Sequence, residues 1–159
     1  MAARFPLFID LHGNNCIIFG GGSRAAHRAE ILLQFGAKVT VISPTLCEAL
    51  REMDKQELIR YIPRRYYRGD CSSGYLCIAA TNDEAINIAI SDECKAKAIA
   101  VNVTKPAAFG TFLFPEVVSR QGIMVTVYSE NNPKSTKKVR EYLDEHFSEI
   151  LETALDKDD

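Results

Sequence analysis

An α/β protein, with a Rossmann-type doubly wound parallel sheet followed by a small α+β region, is predicted by three features of this 159-residue chain. Short unbroken apolar runs alternate with amphipathic stretches up to about Val103. A glycine turn, Gly20-Gly21-Gly22, joins the first apolar run to the first helical stretch. After Lys105 the alternation stops, and two extended segments and one long helix remain. Strands covered on both faces read as continuous apolar runs, and their alternation with helices implies parallel pairing with right-handed crossovers.

The elements follow in order. Asn14-Asn15 has turn chemistry and leads into the strand Cys16-Ile17-Ile18-Phe19. Ser23 to Leu33 places Ala25, Ala29, Leu32 and Leu33 on one helical face, and Gly36 suits the residue just past a helix end. Lys38 to Ile42 is a second strand, stopped by Ser43-Pro44, which completes one βαβ unit. A short helix over Leu46 to Met53 precedes a strand over Leu58 to Ile62. Tyr75 to Ala80 is a strand, Asp83 to Lys97 a helix opened by Asn82 or Asp83, and Ala98 to Val103 a further strand. Phe112 to Val118 and Ile123 to Tyr128 read as two strands around a turn, with Pro115 marking an edge or bulge. The last helix starts near Pro133 and runs toward Leu155. Its stripe of Val139, Leu143, Phe147, Ile150, Leu151 and Ala154 needs a surface to cover it, and a second subunit is the economical one. The expected division is therefore a nucleotide-binding domain over 1–110 and a hairpin-plus-helix dimerisation region over 111–159.

Composition excludes several classes. With 47% apolar residues, 25% charged and a net charge of −2, the chain is neither disordered nor globally suited to nucleic acid. The basic group Arg60, Arg64, Arg65 and Arg68, interleaved with Tyr61, Tyr66 and Tyr67, falls between strands and reads as a loop. No run of about 18 apolar residues suggests a membrane span, and the N-terminal apolar stretch is too short for a signal peptide. A cytoplasmic protein is expected. Cys16, Cys47, Cys71, Cys77 and Cys94 form no CxxC pair and read as small hydrophobes. His12, His27 and His146 have no partner at ligand spacing, so no metal site is expected.

The chemistry lies in Gly20-x-Gly22-x-x-Ala25, directly after a strand and opening a helix. Those are the contexts that the dinucleotide fingerprint requires. Gly20 permits the tight turn, Gly22 admits a pyrophosphate to the backbone, and Ala25 lets helix and strand pack closely. The helix N-terminus, begun by Ser23 and Arg24, supplies free N–H groups and a positive dipole end. The second strand ends in Ser43-Pro44 rather than an acid, so Ser43 is left to meet the adenosine ribose, and residue types alone do not separate NAD from NADP.

Phe5-Pro6-Leu7-Phe8, Gly20 to Arg28, Ile42-Ser43-Pro44, Ala79 to Asp83, Val101-Asn102-Val103 and Phe112-Leu113-Phe114-Pro115 occur in this order. Together they resemble the precorrin-2 dehydrogenase family, the NAD-binding part of siroheme synthases, over roughly residues 5–150. The resemblance implies homodimers that oxidise precorrin-2 to sirohydrochlorin with NAD, some of which also insert ferrous iron. It also implies that Thr81, Asn82 and Asn102 line the nicotinamide side.

Two residue-level departures matter. The family pattern Asn-Val-x-Asp is here Asn102-Val103-Thr104-Lys105, so Lys105 replaces the family's candidate general base and chelatase residue. Before the last helix, Tyr128 to Ser135 keeps Ser129 but lacks the family's glycines, and Lys134 is a further candidate contact for a carboxylate-rich tetrapyrrole. Many members continue into a further helical cap, and since this sequence ends at Lys157-Asp158-Asp159, the cap is expected to be short, absent or supplied elsewhere. The expected activity is NAD-dependent dehydrogenation with little or no iron insertion. The alternatives are a non-catalytic NAD- or tetrapyrrole-binding dimer and, third, a ferrochelatase.

Overall fold

The computed structural model describes residues 5–129 and 132–155. Five parallel strands form one sheet: β1 (Asn15–Phe19), β2 (Lys38–Ile42), β3 (Ile59–Ile62), β4 (Leu76–Ala79) and β5 (Ala100–Val103), in the order β3-β2-β1-β4-β5. The helices between them are α1 (Ser23–Gln34), α2 (Glu48–Lys55) and α3 (Glu84–Ala96). The crossover direction reverses between β1 and β4, and that switch point is where a doubly wound sheet opens a ligand crevice.

Why these residues form a two-faced sheet is clear from burial. Cys16, Ile17, Ile18 and Phe19 are all at most 1% exposed, so β1 has no solvent side. Ile17, Phe19, Cys77, Ala79, Val101 and Val103 form one cluster with Ile90 and Cys94 of α3. Helix α1 packs on β1 and β2 through a face made of Ala25, Ala26, Ala29 and Leu32. Three alanines there let the helix come close, as the fingerprint requires.

Several boundaries moved. α2 begins at Glu48, two residues later than the apolar pattern suggested: Cys47 is its N-cap in extended backbone, held by its N–H donating to the Gly21 carbonyl. Pro115 lies just before the strand β6 (Glu116–Arg120) rather than inside it, which removes the need for a bulge. β6 pairs antiparallel with β7 (Ile123–Val127). The segment between β3 and β4 contains a short 3-10 turn, Asp70–Ser73, that periodicity does not reveal.

Two compact units divide between Leu113 and Phe114. The boundary falls a few residues beyond the expected one, because the Thr111 N–H donates to the Val101 carbonyl at 2.7 Å and keeps this segment with the sheet. The second unit is the β6–β7 hairpin with α4 (Pro133–Leu155). Phe147, Leu151 and Leu143 pack on Val118 and Val125, so half of the α4 stripe is covered within its own unit. Val139 and Ile150 of that stripe stay 47% and 42% exposed, with Tyr142 beside them at 60%.

Candidate functional site

The carboxyl edge of the sheet gathers the residues that the motif singles out. Gly20 has φ +116°, and a Cβ there would be driven into the Ala80 carbonyl at the end of β4. A side chain on Gly21 would collide with the Thr45 carbonyl and the Ser43 hydroxyl. The Gly21 carbonyl accepts from the Cys47 N–H at 2.7 Å, which ties the turn to the segment after β2. Only glycine allows both approaches. Gly21 was not among the expected site residues, although the triplet itself was its signal.

Gly22 differs from its neighbours. Nothing lies within 4 Å of the position its Cβ would take. It is the N-cap of α1, no side chain caps that helix, and its first turn holds no acid. Ser23 and Arg24 are exposed at this end, whereas Ala25 is fully buried. Backbone N–H groups and the positive dipole end therefore face open space beside a wall of backbone, and a pyrophosphate fits that arrangement. Ser43 is 6% exposed with its hydroxyl toward Gly21, and Pro44 is exposed next to it.

On the other side of the switch point, Asn87 organises the edge. It is fully buried on α3, and its Oδ1 accepts from the Thr81 N–H at 3.1 Å and the Thr81 hydroxyl at 2.7 Å. Its Nδ2 donates to the carbonyls of Thr81 at 3.1 Å and Lys105 at 2.9 Å. One side chain thus fastens the end of β4 to the loop after β5. The helix beneath it is capped by Asp83, which accepts from the Ala85 and Ile86 N–H groups. Asn82 is exposed between Thr81 and that cap. Asn87 was missed in the sequence, where it lies between Ile86 and Ile88 on the helix side that also buries Ile90, Ser91 and Cys94.

 Its signal there was weak: an Asn one turn after the helix cap, on the side that faces the sheet.

Lys105 is exposed, and its ammonium pairs with the Glu84 carboxylate at 2.8 Å. A carboxylate therefore does stand at this edge, supplied by the first turn of α3 rather than by the strand loop. Asn102 is 4% exposed on β5, and its Nδ2 donates to the Phe112 carbonyl at 3.1 Å. Its Oδ1 is the one buried side-chain acceptor without a partner among the described residues. Ser129 and Lys134 belong to the second unit. There the Ser129 hydroxyl accepts from the Asn132 N–H at 3.2 Å, and Asn132 in turn accepts from the Ser135 N–H at the start of α4. Lys134 is exposed on the first turn. Glu130 and Asn131 lie outside the described residues.

The basic group is not all loop: Arg60 and Tyr61 lie in β3, and the segment after it is folded rather than free. Arg64 makes two hydrogen bonds to Asp70, at 2.7 and 2.8 Å, and this guanidinium holds the Asp70 carboxyl below its ordinary range. Tyr66 stands edge-on to Phe19 with centroids 5.3 Å apart and donates to the Glu93 carboxylate at 2.5 Å. Burial pushes the Glu93 carboxyl up, but hydrogen bonds from Tyr66 and from backbone N–H groups outweigh it and hold the group low. Burial and the same bond push the Tyr66 phenol up.

A family model described as putative NAD(P)-binding matches residues 7–116. A siroheme synthase of Nitrosospira multiformis is 35% identical over 144 residues, which are 87% of this chain and 30% of that protein. A probable multifunctional siroheme biosynthesis protein HemA of Ruminiclostridium josui is 36% identical over 142 residues, 88% of this chain and 28% of that one. The chain thus spans under a third of the length of these curated relatives. Among solved structures, SirC, precorrin-2 dehydrogenase, superposes with a TM-score of 0.73 at 26% identity, covering 90% of this chain and 71% of that one.

Proposed function

Because the chain belongs to this NAD(P)-binding family, we propose that it oxidises precorrin-2 to sirohydrochlorin with NAD. The observation that carries the reading is the glycine turn at the switch point, where Gly20 and Gly21 draw backbone together and Gly22 opens the uncapped end of α1. The likeness to SirC, which extends over both units, supports the choice of substrate.

Bound NAD supplies the hydride acceptor. The chain's own groups do the rest. N–H groups from Ser23 to Ala25 hold the pyrophosphate, with the Arg24 guanidinium adding a charge-assisted contact. Ser43 and Pro44 border the adenosine ribose. Thr81, Asn82 and Asn102 border the nicotinamide side, and Asn87 keeps the Thr81 and Lys105 segments at a fixed separation. Hydride transfer depends chiefly on such positioning.

Dehydrogenation also releases a proton. The Lys105 ammonium cannot accept it, but its Glu84 partner can. We assign that proton to Glu84, with Lys105 attracting a substrate carboxylate. Ser129 and Lys134, on the second unit, are separate candidate contacts for a carboxylate-rich tetrapyrrole. Iron insertion is expected to be slight, since a lysine occupies position 105. The protein works as a cytoplasmic homodimer in this reading, with Val139, Tyr142 and Ile150 of α4 as the exposed apolar contact. No helix among the described residues is long and apolar enough to cross a membrane.

A second reading, a non-catalytic NAD- or tetrapyrrole-binding dimer, is favoured by the Lys105–Glu84 pair, which ties up the carboxylate. Calorimetry with NAD, followed by anaerobic incubation with precorrin-2, separates the two. Binding with sirohydrochlorin formation supports the dehydrogenase, whereas binding without turnover selects the second reading. Efficient ferrous iron insertion in the same preparation contradicts the expected lack of chelatase activity.

A further inference from the structure

Cys71, Cys77 and Cys94 meet in the core on the α3 side of the sheet. Their sulfur atoms all lie within 4.8 Å of one another, and each residue is 0% exposed. They arrive from three separately anchored segments. Cys71 sits on the 3-10 turn, where its carbonyl accepts from the Gly74 N–H at 3.0 Å. Cys77 is in the middle of β4, paired with Ile17 and Val101. Cys94 belongs to the last turn of α3. Spacing along the chain gives no sign of this convergence, which is why the sequence suggested no metal site.

We propose that these three sulfurs bind one monovalent thiophilic ion of the copper(I) type. Metal–sulfur bonds of about 2.3 Å in a trigonal set place the sulfurs about 4 Å apart, so only small side-chain shifts are needed. A disulfide would bring one pair to about 2 Å and leave the third thiol unused. Soft thiolate ligands select copper(I) and zinc, but structural zinc takes four ligands. Among the described residues, no fourth His, Cys, Asp or Glu ligand joins the group. The nearby Glu93 carboxylate is already engaged by Tyr66 and by the Gly69 N–H. Three ligands in an apolar surround therefore favour the ion that accepts three.

Charge balance agrees. On binding, one copper–sulfur bond replaces one S–H bond of the three, its proton leaves to solvent, and the other two sulfurs donate lone pairs. No oxidation state changes, and the core keeps its net charge, as a low-dielectric site demands.

The test is an anaerobic titration of the full chain with copper(I) buffered by bicinchoninate. One equivalent per chain, an ultraviolet thiolate-to-copper band and a raised melting midpoint are expected. X-ray absorption should show sulfur neighbours alone, at about 2.3 Å. Cys71→Ala and Cys94→Ala should each weaken binding by more than about tenfold, while Cys47→Ser leaves it unchanged. Circular dichroism and NAD binding show whether each variant is folded. Should the core variants fail to fold, the copper environment of the unaltered protein decides. Failure to compete with bicinchoninate, a shell containing nitrogen or oxygen, or full binding by folded Cys71→Ala would each overturn the proposal.

Discussion

Adjacent glycines in one turn have different physical duties, and substitution separates them. Gly20 combines φ +116° with backbone against its missing side chain, so Gly20→Ala should lose at least about 2 kcal/mol in urea unfolding. Gly22 has φ −88° and open space around it, so Gly22→Ala should stay within about 0.5 kcal/mol of the parent. The same Gly22→Ala should weaken NAD binding by about tenfold, or about 1.4 kcal/mol, in calorimetry. Equal stability losses at both positions would refute the division of labour. Glu93 and Tyr66 make a second prediction, about pH. The Glu93 pKa is depressed below its ordinary 4.5, so its contribution is complete above that value and fades as pH falls through the lower folded value. The Tyr66 pKa is raised above its ordinary 10.0, so its contribution is complete below that value and fades as pH rises beyond it. Tyr66→Phe should therefore lose about 1.5 to 3 kcal/mol near neutral pH and flatten both limbs of the stability profile. A profile unchanged in shape would count against the bond.

At the scale of elements, α3 does two jobs: it covers β4 and β5, and through Asn87 it holds the sheet edge together. Asn87→Ala leaves the Thr81 and Lys105 groups without that partner and should cost about 2 to 3 kcal/mol. It should also raise the apparent NAD dissociation constant more than Asp83→Asn, which keeps a side-chain oxygen at the helix cap. Comparable effects from the two variants would remove Asn87's special role. The order of strands and helices was legible because each announces itself through nearby residues: apolar runs, glycine turns and a capping Asp83. The glycine fingerprint was legible for the same reason. Asn87, the Glu84–Lys105 pair and the three cysteines were not, because each depends on side chains brought together by the fold from separate elements. Pro115 shows a smaller limit. Its neighbours are apolar enough to extend a strand on paper, yet pairing begins only at Glu116, opposite Val127.

For the molecule as a whole, the first unit carries the glycine turn and the sheet's carboxyl edge, while the second is a hairpin and one helix with a half-covered apolar stripe. Phe147 and Leu151 close that small core, whereas Val139 and Ile150 are exposed. Ile150→Glu should therefore leave thermal stability of the second unit nearly unchanged but convert the proposed homodimer to a monomer in sedimentation. A dimer that survives Ile150→Glu and Val139→Glu together would place the contact elsewhere. The lysine at position 105 makes catalysis, rather than binding, the point most exposed to refutation. The most direct test is an anaerobic reaction of the unaltered chain with precorrin-2 and NAD, following NADH and sirohydrochlorin together. The two products should appear in equal amounts, and Glu84→Gln should slow both while leaving NAD affinity intact. NAD binding with no NADH formed would contradict the dehydrogenase reading.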